Sequence, residues 1–143
     1  SPRVQPCVPG GGRFGARPLQ GNTPAPAAPT AADHLLAAAR YHDEGKLDRA
    51  IISYRRAIAL DASRAAPYND LGIAYYAKGF LDDAVKNFSE AIARDPRHEI
   101  AHANLGAALR RQGKLREARL AYQAALVIKV RNWLGRRLAF RRA

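Results

Sequence analysis

AAPYNDLGIAYYAKGFLDDAVKNFSEAIARDPRH, residues 65–98, decides how the rest of the chain is read. Leu71, Gly72 and Tyr75 stand at i, i+1 and i+4, one stripe of a helix of roughly fourteen residues. Gly79 follows as a helix-ending glycine, where a left-handed backbone costs little. Leu81, Ala84, Phe88, Ala91 and Ile92 then make a second stripe at helical spacing. Asp95-Pro96 closes the unit, because proline cannot continue a helix. The stretch predicts two antiparallel helices brought close by Gly72 and Ala84, with the Phe88 ring filling the space above those small residues.

The same pattern returns on both sides of it at a spacing of 34 residues. Ala37, Leu71 and Leu105 fall in one column, and Ala38, Gly72 and Gly106 in the next. Tyr41, Tyr75 and Leu109 follow, then Gly45, Gly79 and Gly113, then Leu47, Leu81 and Leu115. Ala50, Ala84 and Ala118 align, as do Tyr54, Phe88 and Tyr122. Ala57, Ala91 and Ala125, then Ile58, Ile92 and Leu126, complete the set. Three copies are predicted, at 31–64, 65–98 and 99–132.

This pattern resembles the tetratricopeptide repeat, most closely in the middle copy through Leu71-Gly72, Tyr75, Ala84, Phe88, Ala91 and Pro96. The resemblance implies an all-α solenoid of three helix-turn-helix repeats, a fold whose first helices line a concave face. The outer copies depart from the pattern: His34 and Ala37 replace the usual aromatic and leucine, Ala62 replaces the closing proline of the first copy, and Val130 that of the third. Such departures suit terminal repeats.

Outside the repeats the texture changes. Residues 1–30 hold seven prolines and five glycines with no apolar period, and are read as a flexible tail. Thr30 with Asp33 forms a capping-box-like start to the first helix. At the other end, Val130 lets helix run on through Trp133 and Leu134, so residues 133–143 are read as a basic C-terminal helix or cap. A cap covering the last repeat is the first reading of this basic, amphipathic segment; contacts with nucleic acid or an anionic membrane are the others.

The chain has 143 residues, one-domain size, with 48% hydrophobic and 25% charged residues. Its formal net charge of +12 is uneven. Residues 31–98 balance ten basic against ten acidic groups, whereas residues 99–143 hold eleven basic groups against Glu99 and Glu117. Cys7 is the lone cysteine, which excludes an internal disulfide and fits a soluble protein of a reducing compartment such as the cytoplasm. The chain begins at Ser1 and has no methionine, as a processed product or fragment would.

One string has a catalytic look. His98-Glu99-Ile100-Ala101-His102 matches H-E-x-x-H, in which two histidines one turn apart hold zinc and the glutamate serves as base. The repeat register places His98 in a turn between copies and His102 in the packing column of His34 and Tyr68, so a structural role is expected. Gly10-Gly11-Gly12 lacks the preceding strand of a phosphate cradle. No catalytic, cofactor-binding or metal residue is therefore assigned.

The resemblance implies that function lies in the concave groove, with candidate lining residues Leu35, Ala39 and His42 from copy one. Copy two would add Asn69, Asp70, Ile73 and Tyr76, and copy three Asn104, Arg110 and Arg111. In superhelical members such as the repeat arm of the O-linked N-acetylglucosamine transferases, an asparagine in the column of Asn104 holds a peptide backbone. An amide suits that task because it both donates and accepts. Asp70 and Leu36 occupy that column in the earlier copies, so the ladder is incomplete. The chaperone-binding subclass clamps a C-terminal carboxylate with lysines and asparagines, but Leu35, Ala39 and Ile100 stand in three of those columns. The expectation is a scaffold binding a protein or peptide partner with apolar and acidic residues, and no small-molecule substrate. The alternatives are a substrate-presenting fragment of a larger enzyme such as a glycosyltransferase, or a basic adaptor on nucleic acid or anionic membrane.

Overall fold

The computed structural model describes residues 2–4 and 24–142. Most of the proline-rich 1–30 segment, including Cys7 and Gly10-Gly11-Gly12, lies outside the described residues; residues 24–30 carry neither helix nor strand and are exposed. Among the described residues there are six helices and no strand: α1 (Ala31–Asp43), α2 (Leu47–Leu60), α3 (Ala65–Lys78), α4 (Leu81–Arg94), α5 (Glu99–Arg111) and α6 (Leu115–Arg142). The first helix of each pair starts at Ala31, Ala65 and Glu99, repeating the sequence period. Thr30 opens α1 with a full capping box, its hydroxyl accepting from the Asp33 N–H and its own N–H donating to Asp33 Oδ2 at 2.8 Å. Each pair is turned by a glycine in the left-handed region, Gly45, Gly79 and Gly113, with φ of 73°, 81° and 79°.

The pairs α1–α2, α3–α4 and α5–α6 are hairpins, and α3 packs on α2 as α5 packs on α4. The core repeats this logic. Ala50, Ile51 and Tyr54 of α2 bury against Leu71 and Ala74 of α3, while Ala84 and Phe88 of α4 bury against Ala108 of α5. Alanines at the crossing points let backbones approach, and Gly72 goes further: a Cβ there would lie 2.6 Å from the Phe88 ring. Gly106 stands in the same relation to Tyr122 at 2.9 Å.

Polar links join neighbouring repeats. Lys78 pairs with Asp48, and in the same columns one repeat later Gln112 donates to Asp82 at 2.6 Å. Arg94 lays its guanidinium 3.9 Å from the Tyr68 ring centroid and donates to the Ala62 carbonyl. Asn104 Nδ2 donates to Asn69 Oδ1 at 3.0 Å, tying α5 to α3.

The third hairpin ends differently from a capped one. With Val130 where the middle copy has Pro96, α6 continues unbroken for 28 residues. Residues 130–142 therefore extend the helix and do not fold back over the last repeat, and Leu126 and Val130 remain 60% and 46% exposed. No proline interrupts this stretch, and Gly135 stays within the helix, so the chain makes no turn before Arg142.

Candidate functional site on the inner helix face

Because α3 touches α5 as well as its own partner, the first helices of the repeats converge on one inner face. The period of 3.6 decides which side chains stand there. Asp70 and Asn104 share a column, and Ile73 and Arg111 lie about one turn or two further on. At the α1–α3 end, Ala39, His42, Asp43, Tyr54, Asp70 and Ile73 surround a hollow of about 280 Å³. At the α5 end, Arg111 donates to the Tyr76 carbonyl at 3.3 Å with its guanidinium 4.7 Å from the Tyr76 ring centroid. The face thus runs from acidic at one end to basic at the other. Asp70 was among the candidate lining residues; Asp43 joins it from the last turn of α1.

The electrostatics of the hollow follow from burial. Tyr54 is 4% exposed, and burial, reinforced by the negative charges of Asp70 and Asp43, pushes its hydroxyl pKa up to about 12. Tyr54 is therefore a hydrogen-bond donor at any ordinary pH. Burial also raises the Asp70 pKa above the ordinary 3.8, while the charges of His42 and His98 pull it back. A carboxylate whose pKa is raised by folding is a cost to the folded state wherever it is ionised. That cost is present at neutral pH and vanishes as pH falls through the raised value towards 3.8. Asp70→Asn should accordingly raise the melting temperature at pH 7, with the advantage shrinking steadily as the pH approaches 4. Melting curves of both proteins across that range check the sign, and a gain that grows on acidification would contradict it.

Several of the candidate lining residues stand elsewhere. Leu35 is half-buried against the core cluster of Ala38, Ala50 and Tyr54. Asn69 is 5% exposed and spends its carbonyl on Asn104. Tyr76 packs beside Phe88 and Ala84, as Ile73 does, and stays at the inner face beneath Arg111. Arg110 leaves the groove altogether and lines the open end of the third hairpin with Leu115, Arg119, Tyr122 and Leu126. One residue of helix is about 100° of rotation, which separates Arg110 from Arg111 and Leu35 from Leu36. His42, Asp70, Ile73, Tyr76, Asn104 and Arg111 remain on the inner side. Asn104 is half-buried and already commits one amide N–H to Asn69. The column and turn positions add residues that the sequence reading had not assigned: Leu36, 68% exposed in the Asp70 column, and Ile100, 59% exposed one turn before Asn104. Tyr54 reaches the hollow from α2, the second helix of its hairpin, whereas lining is expected from first helices alone.

The H-E-x-x-H string is spent on backbone. His98 caps α5, its Nδ1 accepting from the Ala101 N–H at 3.1 Å, and His102 Nε2 meets the Pro96 carbonyl at 2.9 Å. Among the described residues no three His, Cys, Asp or Glu side chains gather in a group able to hold a metal ion.

Two family models match the chain, one described as TPR repeat over residues 38–79 and one as tetratricopeptide repeat over residues 69–132. No match was found among curated proteins. Solved structures similar to this chain include the second TPR of Spaghetti (RPAP3) bound to the HSP90 peptide SRMEEVD. It is 30% identical, with a TM-score of 0.68 over 69% of this chain and 92% of that one. The second TPR domain of human RPAP3, in complex with the HSP70 peptide SGPTIEEVD, is 31% identical, with a TM-score of 0.67 over 68% and 82%. MamA is 25% identical, with a TM-score of 0.71 over 73% of this chain and 61% of that chain. Repeat period, hairpin geometry and these likenesses agree, and the chain belongs to the tetratricopeptide-repeat family.

Proposed function

We propose that this chain is a protein-interaction module that holds an extended peptide along its inner face, without catalysis of its own. The observation that carries the reading is the charge polarity of that face, with Asp43 and Asp70 around one hollow and Arg111 at the other end. The related RPAP3 domains hold HSP90 and HSP70 peptides, which supports a peptide as the kind of ligand. The chemistry of the ligand differs here. A peptide ending in carboxylates is repelled by Asp43 and Asp70, whereas a lysine or arginine is attracted there. Ile73, Leu36 and Ile100 offer apolar contact in between, and Arg111 receives an acidic residue. Helices packed roughly 8–10 Å apart put α1 and α5 about 16–20 Å from each other, the reach of about six extended residues.

The test is an array of six- to eight-residue peptides with a basic end, an apolar centre and an acidic end, read by fluorescence anisotropy alongside SRMEEVD. Affinity should be micromolar, because the contact is small and the peptide is ordered on binding. Arg111→Glu should weaken peptides with the acidic end about tenfold and leave those lacking it alone; Asp70→Asn should do the same for the basic end. Tighter binding of SRMEEVD than of the mixed peptides, or indifference to both substitutions, would remove the groove assignment.

A further inference from the structure

The open end of the third hairpin carries a second, separate surface. Three sequence columns show what belongs there. Leu47 and Leu81 are half-buried where Leu115 is 66% exposed; Tyr54 and Phe88 are 4% and 1% exposed where Tyr122 is 37%. Ile58 and Ile92 are packed against the following helix, and Leu126 in the same column is 60% exposed. In both earlier hairpins these columns are covered by a helix, α3 or α5, which presents Leu71 and Ala74 or Leu105 and Ala108. The uncovered site has the shape of a helix seat, a hollow of about 340 Å³ lined by Leu115, Ala118, Tyr122 and Leu126, with Arg110 and Arg119 at its edge.

The long helix extends that seat. Leu115, Arg119, Tyr122, Leu126, Val130 and Trp133 follow at steps of three and four, and Arg137 and Phe140 continue the line, the spacing of a helix-to-helix seam. Trp133 is 50% and Phe140 85% exposed, and together with Arg136, Arg137 and Arg141 they border a second hollow. Past Glu117 the helix has no acidic side chain, while Lys129, Arg131, Arg136, Arg137, Arg141 and Arg142 follow. Arg137 stands on the seam itself, its guanidinium 5.2 Å from the Trp133 ring centroid.

We infer that this seam, from Leu115 to Phe140, docks an acidic amphipathic helix of a partner protein, with leucine and alanine on its apolar stripe and glutamates or aspartates beside it. A second copy pairing through the same seam brings the same arginines against these and, past Glu117, no carboxylate to meet them. An acyl layer leaves Arg137, between Trp133 and Phe140 on the apolar line, without a counter-charge. Phosphates alone leave Leu126, Trp133 and Phe140 in water. Only a helix with both apolar and acidic residues satisfies the two halves of the seam together.

Trp133 is the only tryptophan, so the seam contains its own reporter. The probe is a synthetic three-heptad peptide without tryptophan, with leucine and alanine on one stripe and glutamate on the flanks. Titrated into the whole chain, it should shift Trp133 emission to the blue with micromolar affinity. Replacing its glutamates by lysine, or its leucines by serine, should weaken binding at least tenfold. Leu126→Ser and Phe140→Ser in the protein should each cost about tenfold with melting temperature nearly unchanged, since both residues are exposed. Asp70→Asn and Arg111→Glu should leave this titration untouched, which separates it from the groove. Equal binding of the lysine peptide, indifference to Leu126→Ser, or a self-associated dimer that the peptide does not dissociate would overturn the inference. So would emission shifts produced by phosphatidylglycerol vesicles or duplex RNA but not by the glutamate peptide.

Discussion

Phe88→Ala should lower the unfolding free energy by about 3–5 kcal/mol, the usual result of removing a fully buried aromatic ring. Phe88 is 1% exposed and the largest fully buried side chain among the described residues. Its ring touches Gly72 on one side and is enclosed with Ala84 and Ala108, residues too small to move into the vacated space. Relaxation is therefore limited and the cavity persists, which places the loss towards the upper end of the range. Domains of this size hold on the order of 5–15 kcal/mol in total, so the variant should be partly unfolded well below the wild-type transition. Urea unfolding measures it directly. A loss below about 1 kcal/mol at unchanged slope would mean that the ring is not where the helices meet.

Gly72→Leu should be the second most damaging change, costing about 1–3 kcal/mol from overpacking. The new Cβ would sit 2.6 Å from a ring carbon that is itself walled in, so α3 and α4 must separate. Gly106→Leu makes an instructive contrast. Its Cβ would meet the Tyr122 ring at 2.9 Å, but Tyr122 is 37% exposed and can turn outwards. Replacing a mid-helix glycine by leucine also gains close to 0.8 kcal/mol of helix propensity, so Gly106→Leu should come out within about 1 kcal/mol of wild type. The two residues occupy one sequence column, and only the third hairpin's uncovered end distinguishes them. Combining Gly72→Leu with Phe88→Ala should be less harmful than the sum, because the leucine enters the cavity. Equal losses at both glycines would show that the open end is closed in solution.

What could be read from the amino-acid order varied with the kind of information it carries. Side-chain size is periodic, so glycine, alanine and aromatic columns 34 residues apart announced the hairpins and their turns. Groove lining depends on rotation about each helix axis, and neighbouring letters there look interchangeable. Arg110 and Arg111 are the same residue type side by side, yet one borders the open end and the other the inner face. Leu35 and Leu36 divide in the same way, one half-buried in the core and one in water. Tyr54 was read as a packing residue from its column. That its hydroxyl lies near Asp43 and Asp70 depends on α1, α2 and α3 meeting in space, which no local pattern encodes. The run-on of α6 was visible in Val130, but whether it turned back was a question of tertiary contact.

The hydrogen bond from Asn104 to Asn69 lies between repeats, not within a hairpin. Contacts between alanines resist separation but hardly resist rolling, since a methyl surface has no preferred direction. A hydrogen bond does have one, and here it is half-buried at the junction of α3 and α5, where a small roll of one hairpin on the next would break it. Together with the Lys78–Asp48 and Gln112–Asp82 contacts, it works as a pin through an otherwise smooth bearing. These polar side chains thus add direction to the apolar packing between repeats, and the width of the face that α1, α3 and α5 present should respond to their removal.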